Sequence, residues 1–107
     1  MAVTRYDKLV RDNIPDIIVA QGRTPVVMAL SDAEFKERLQ KKLLEETQEY
    51  LESGEIEELA DILEVLYALA VEQGVTPDEL ENIRLKKREK RGGFTKRLLL
   101  KSVEQLD

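Results

Sequence analysis

The sequence predicts an all-α fold: one domain of residues 1–107, a central helical hairpin plus flanking helices, of the four-helix-bundle type completed by oligomerisation. Ser/Thr-x-x-Glu capping boxes stand at Ser31 and Thr76, and each satisfies N–H groups that a helix start leaves free. Glycines follow the periodic segments at Gly22, Gly54, Gly74 and Gly92, where helices stop. Between these marks, apolar residues recur at helical spacing. A chain of 107 residues fits one domain with a modest core, and helical domains of this size often complete their core by association.

The first helix is predicted at about 15–21, with Pro15 at its start and Gly22 after its end. "TPVVMAL", residues 24–30, reads as an extended segment or a linker that lays apolar side chains on the core. Ser31, with Glu34 three residues on, opens a long helix to about residue 53, closed by Gly54. A second long helix follows at about 56–73, ended by Gly74. Thr76-Pro77-Asp78-Glu79 opens the last, about 77–90, with Pro at the first helical position, where its missing N–H costs nothing. "FTKRLLLKSVEQL", residues 94–106, reads as a strand-like or helical tail that docks on a neighbour.

Composition narrows the chemistry. With 42% apolar and 36% charged residues the chain is globular with a charged surface. No apolar run approaches the ~20 residues that cross a bilayer, and "MAVTRYDKLVRD" lacks the apolar stretch of a secretory signal. A cytoplasmic protein without a membrane partner is therefore expected. No cysteine is present, which excludes disulfides and thiolate metal sites. Nor is there a histidine, which removes the usual general base and the common zinc sites. Carboxylates, amines and hydroxyls remain, with any metal a hard cation held by oxygen. A net charge of −5 argues against a nucleic-acid partner, although residues 84–101 are strongly basic.

The acidic middle, "EETQEYLESGEIEELAD", holds eight carboxylates in the seventeen residues 45–61. At about 100° per residue, Phe35, Leu39, Leu43 and Tyr50 share one stripe of the first long helix. Glu46 falls inside that stripe, Glu49 at its edge and Glu45 further round. On the second long helix Leu59, Leu63, Leu66 and Ala70 form one face, and Ile62, Val65 and Leu69 an adjoining one. Glu58 lies beside Val65 and Leu69, with Asp61 at the margin of that face, while Glu57 and Glu64 share the wet side. The pairs Glu46/Glu49 and Glu58/Asp61, each spaced i, i+3, can meet across the turn near Gly54. Four converging, partly buried carboxylates must protonate or be neutralised by cations. A divalent ion such as Mg²⁺ is the economical answer.

"EETQE" followed by "EELAD" resembles the E-E-x-x-E … E-x-x-D signature of the all-α nucleoside triphosphate pyrophosphohydrolases, the MazG-like superfamily. That superfamily includes phosphoribosyl-ATP pyrophosphohydrolase and the helical dUTPases. "YDKLVRDNIP" and "RLKKREKRGGFTKRLLL" look like its small, phosphoribosyl-ATP pyrophosphohydrolase-like branch. The resemblance implies that Glu46, Glu49, Glu58 and Asp61 bind Mg²⁺, with Mn²⁺ as a substitute. It implies that Glu45 acts as an outer-shell ligand or orients the attacking water. It implies cleavage of a nucleotide between the α and β phosphates, to a nucleoside monophosphate and pyrophosphate, in a homodimer or homotetramer. Phosphoribosyl-ATP hydrolases of histidine biosynthesis tend to carry a histidine after the second motif. "ELADILEVLYAL" has none, which favours nucleotide housekeeping.

The basic ends read as phosphate binders. Leu80, Arg84, Lys87 and Arg91 share a stripe of the last helix, Gly92-Gly93 permits a close backbone approach or an anion-binding nest, and Arg97 follows. Lys8 and Arg11 lie at the other end. Arginine clamps phosphate bidentately. Tyr6 is a candidate for stacking on a base, whereas Tyr67 and Phe94 read as core. The expected function is a Mg²⁺-dependent nucleotide pyrophosphohydrolase in which Glu45 or Glu46 takes or steers the proton. Its rivals are a phosphoribosyl-ATP hydrolase proper and a non-catalytic helical oligomerisation or regulatory module.

Overall fold

A computed structural model describes residues 2–106. They form four helices and no strand: α1 Ile14–Ala20, α2 Asp32–Ser53, α3 Ile56–Glu72 and α4 Pro77–Arg91. Each bound lies within a residue or two of the one predicted. The two capping boxes form. The Ser31 hydroxyl accepts from the Glu34 N–H at 3.3 Å and donates to its carboxylate at 2.8 Å. Thr76 Oγ1 accepts from the Glu79 N–H at 3.2 Å. At Gly54 the backbone is left-handed, φ +67°, and its N–H closes α2 on the Tyr50 carbonyl at 2.8 Å. A side chain there would be strained, so glycine is what allows the short turn.

That turn folds α3 back along α2, and their interface is the core. Leu39 and Val65 are buried in it, and Phe35, Leu43, Tyr50, Ile62 and Leu69 are half-buried around them. The Ile62/Val65/Leu69 face of α3 is the covered one. Leu59, Leu63 and Leu66, on the adjoining face, stay exposed. The N-terminal part of α4 closes on the C-terminal half of α3 over an apolar groove of about 340 Å³. α1 packs on none of the other helices.

Two sequence expectations are corrected. Residues 24–30 are irregular, and Val26, Val27 and Met28 face solvent. The 94–106 segment is neither strand nor helix, its leucines and Val103 are exposed among the described residues, and Phe94, expected in the core, is 99% exposed. Both segments carry apolar side chains but no helical periodicity to aim them at one face. The radius of gyration is 19.3 Å, against about 13 Å for a compact chain of this length. Among the described residues no helix is long and apolar enough to cross a membrane.

Candidate active site

Glu46 lies on α2 one turn after Leu43 and one before Tyr50, in phase with buried Leu39, so the helix carries its carboxylate into the hairpin interface. It is the only charged residue buried among those described, at 8% exposure. From α3, Glu58 and Asp61 reach the same place, both half-buried. One carboxylate oxygen from each of Glu46, Glu58 and Asp61 lies within 4.8 Å of the others. Glu46 Oε2 and Glu58 Oε2 are buried without a hydrogen-bond partner. An orphaned buried carboxylate oxygen is costly, and here two belong to members of one cluster.

Three of the four predicted ligands thus come together. Glu49, at the edge of the stripe, is exposed and stands outside the three-way group. Its carboxyl still bears on the cluster. Burial pushes the Glu46 carboxyl above its ordinary range, and Glu49 and Asp61 push it the same way, while Lys42 opposes them. Glu45 is half-buried on the neighbouring side of α2.

Two cations touch the group. Lys42 Nζ lies 3.5 Å from Glu46 Oε1, one turn earlier on α2. Sequence reasoning missed it, although the i, i+4 spacing from a stripe glutamate is the signal that finds such a partner. Arg11 donates from Nη2 to Asp61 Oδ1 at 2.7 Å, so one predicted phosphate binder does lie at the acidic cluster.

The others do not join it. The Lys8 ammonium sits 5.7 Å from the Tyr6 ring centroid, a cation–π distance. Arg84 is bound to Glu81 on its own helix, Nε to Oε2 at 2.9 Å, and this pair lowers the Glu81 carboxyl below its ordinary range. Lys87, Arg91 and Arg97 are exposed, and among the described residues no ion pair links them to the carboxylates. Gly92, at φ +82° and ψ 177°, ends α4. Tyr67 is half-buried on α3.

The donor chemistry of the cluster fits a hard cation. Its donors are all carboxylate oxygens, which suit Mg²⁺ or Mn²⁺ and not soft metals. The two orphaned buried oxygens are what a cation would satisfy.

A family model described as phosphoribosyl-ATP pyrophosphohydrolase matches residues 21–89, a stretch that includes Glu45, Glu46, Glu49, Glu58 and Asp61. An uncharacterized protein of Mycolicibacterium smegmatis is 55% identical over 42 residues, which cover 39% of this chain and 43% of that protein. The chain therefore matches less than half the length of that relative. No solved structure matches it.

Proposed function

The chain belongs to the phosphoribosyl-ATP pyrophosphohydrolase family, and from that premise we propose that it is a Mg²⁺-dependent nucleotide pyrophosphohydrolase. It cleaves ribo- or deoxyribonucleoside triphosphates between the α and β phosphates, to a nucleoside monophosphate and pyrophosphate, as housekeeping of a cytoplasmic nucleotide pool. The observation that carries this reading is the buried Glu46 carboxylate, its Oε2 without a hydrogen-bond partner, in one group with Glu58 and Asp61 across the hairpin.

Glu46, Glu58 and Asp61 hold the cation, with Glu49 joining from the edge. When bound, Mg²⁺ supplies a water of lowered pKa and stabilises charge on phosphate oxygens. Glu45 accepts or steers the water's proton, with Glu46 as its neighbour, since the chain has no histidine to do so. Lys8, Arg11, Lys87, Arg91 and Arg97 neutralise the phosphate chain, and Arg84 joins them if it leaves Glu81.

A homodimer or homotetramer completes the site. Neither the groove between α3 and α4 nor the hollow beside Glu34, Glu37, Arg38 and Lys41 is lined by the three carboxylates, and the leucine face of α3 beside them is uncovered. The family's description favours one further reading, phosphoribosyl-ATP itself as the substrate.

One experiment tests both. Pyrophosphate release is followed over ribo- and deoxyribonucleoside triphosphates and phosphoribosyl-ATP, with Mg²⁺ and with a chelator. Release from the triphosphates with Mg²⁺ alone supports the first reading, and release confined to phosphoribosyl-ATP supports the second. No release from any substrate leaves a non-catalytic helical module.

A further inference from the structure

The segment before α1 is tied across the hairpin at two points. Arg38, on α2, donates from Nη1 to the Asp7 carbonyl oxygen at 2.8 Å. Asp7 itself is at φ +47°, a left-handed bend rare for a residue other than glycine. Four residues on, the Arg11 guanidinium lies 2.7 Å from Asp61 Oδ1. Asp61 is a member of the three-carboxylate group. A side chain from fifty residues away thus places a positive charge where a metal ligand is needed.

We propose that Arg11 is the site's internal competing cation: its guanidinium holds Asp61 until a divalent ion binds, and is then released to a phosphate oxygen of the substrate. This rests on the cation-site reading above. The chemistry suits both partners, because the planar guanidinium fork matches a phosphate as it matches a carboxylate. Both members of the pair are about half exposed, and such pairs are weak. A divalent ion attracts Asp61 together with Glu46 and Glu58, whereas Arg11 is bonded to Asp61 alone. Once free, Arg11 stays near. The Arg38 anchor at Asp7 is four residues away, a reach of about 14 Å when extended.

The test uses Mn²⁺ as the probe ion on the full chain, by calorimetric titration without nucleotide. A second titration, at saturating Mn²⁺, uses a triphosphate analogue with a non-hydrolysable α–β bridge. Arg11→Gln should bind Mn²⁺ about two- to fivefold tighter than the wild type, the range that loss of a weak exposed pair allows. The same variant should bind the analogue about tenfold more weakly, as for a lost charge-assisted contact. Arg11→Lys keeps the charge without the fork and should fall between them in both titrations.

The opposite signs are the signature, since a purely structural role would weaken both. Equal or weaker Mn²⁺ binding by Arg11→Gln overturns the competition. Tighter Mn²⁺ binding with unchanged analogue affinity overturns the release to phosphate. If the wild type bound no Mn²⁺, the cation-site reading would fail, and this inference with it. Mn²⁺ binding that is indifferent to Arg11 sinks this inference alone.

Discussion

Replacing Glu46 by Gln should make the metal-free protein more stable and deaf to Mg²⁺. Its carboxylate oxygen lies within 4.8 Å of one from each of Glu58 and Asp61. At that separation two like charges repel by about 3.5 kcal/mol at an effective dielectric of 20, and by about 0.9 kcal/mol in water. Lys42, at 3.5 Å, offsets part of this. The net, discounted because Asp61 faces water, is about 1–2 kcal/mol against an ionised Glu46. Gln removes the charge and gives the orphaned side an N–H donor for Glu58. In a domain of this size the gain should raise Tm by about 4 °C or more. The assay is thermal unfolding by circular dichroism in chelator and again in Mg²⁺. Mg²⁺ should raise the wild-type Tm and leave that of the variant unmoved.

The sign of the pH dependence follows from the same geometry. Burial, Glu49 and Asp61 raise the folded-state pKa of Glu46 above its ordinary 4.5. The stabilising contribution of this group is therefore fully present below about 4.5 and is lost as pH rises through the higher folded value. The Tm advantage of Glu46→Gln in chelator should accordingly be small in mild acid and grow toward neutrality. A variant that melts below the wild type in chelator at neutral pH would refute the reasoning, as would one that still gains from Mg²⁺.

Glu58→Gln and Asp61→Asn should each lower Mg²⁺-dependent kcat/KM by at least about a hundredfold, with the far-UV circular dichroism unchanged; full activity in either removes that residue from the site. Lys87→Ala and Arg91→Ala should weaken all nucleoside triphosphates by similar factors, read as kcat/KM over four bases, and loss for one base alone would return them to the solvated surface. Arg84→Ala should cost less than either, because Arg84 is already engaged by Glu81. Light scattering at micromolar concentration should show a dimer or tetramer, and Leu63→Asp should dissociate it; a wild-type monomer refutes the association.

The site was half legible in the sequence, and the half that could be read was the part set by one helix at a time. Glu46 shares the helical phase of Leu39 and Leu43, and phase alone predicts its burial. The same argument put Glu49 at the edge, where it is exposed. Glu58 and Asp61 follow because a short turn at Gly54 leaves little freedom in how α3 returns. Phase says nothing of contacts between a loop and a helix. The Arg11–Asp61 and Arg38–Asp7 bonds join residues fifty and thirty-one apart, and no periodicity relates them. Arg84 illustrates the opposite failure: it lies on the expected stripe, yet a carboxylate three residues earlier takes it first.

The same division explains why the fold closes where it does. A hairpin of two helices covers one face of each. α3 has two adjoining apolar faces, so the turn at Gly54 decides which is covered, and it covers Ile62, Val65 and Leu69. Leu59, Leu63 and Leu66 are left about two-fifths exposed. Covering the remainder returns about 2–3 kcal/mol per chain, a sizeable fraction of what a small domain holds in total. Neither α1 nor the 94–106 segment covers them within the chain. Glu58 and Asp61 flank Leu59 on this helix, so whatever covers the leucines also approaches the carboxylates. It would draw water from around them, strengthen their mutual repulsion and increase their demand for a cation. Association and metal binding should therefore reinforce one another. The uncovered leucine face and the under-neutralised acidic cluster are two sides of one unfinished surface.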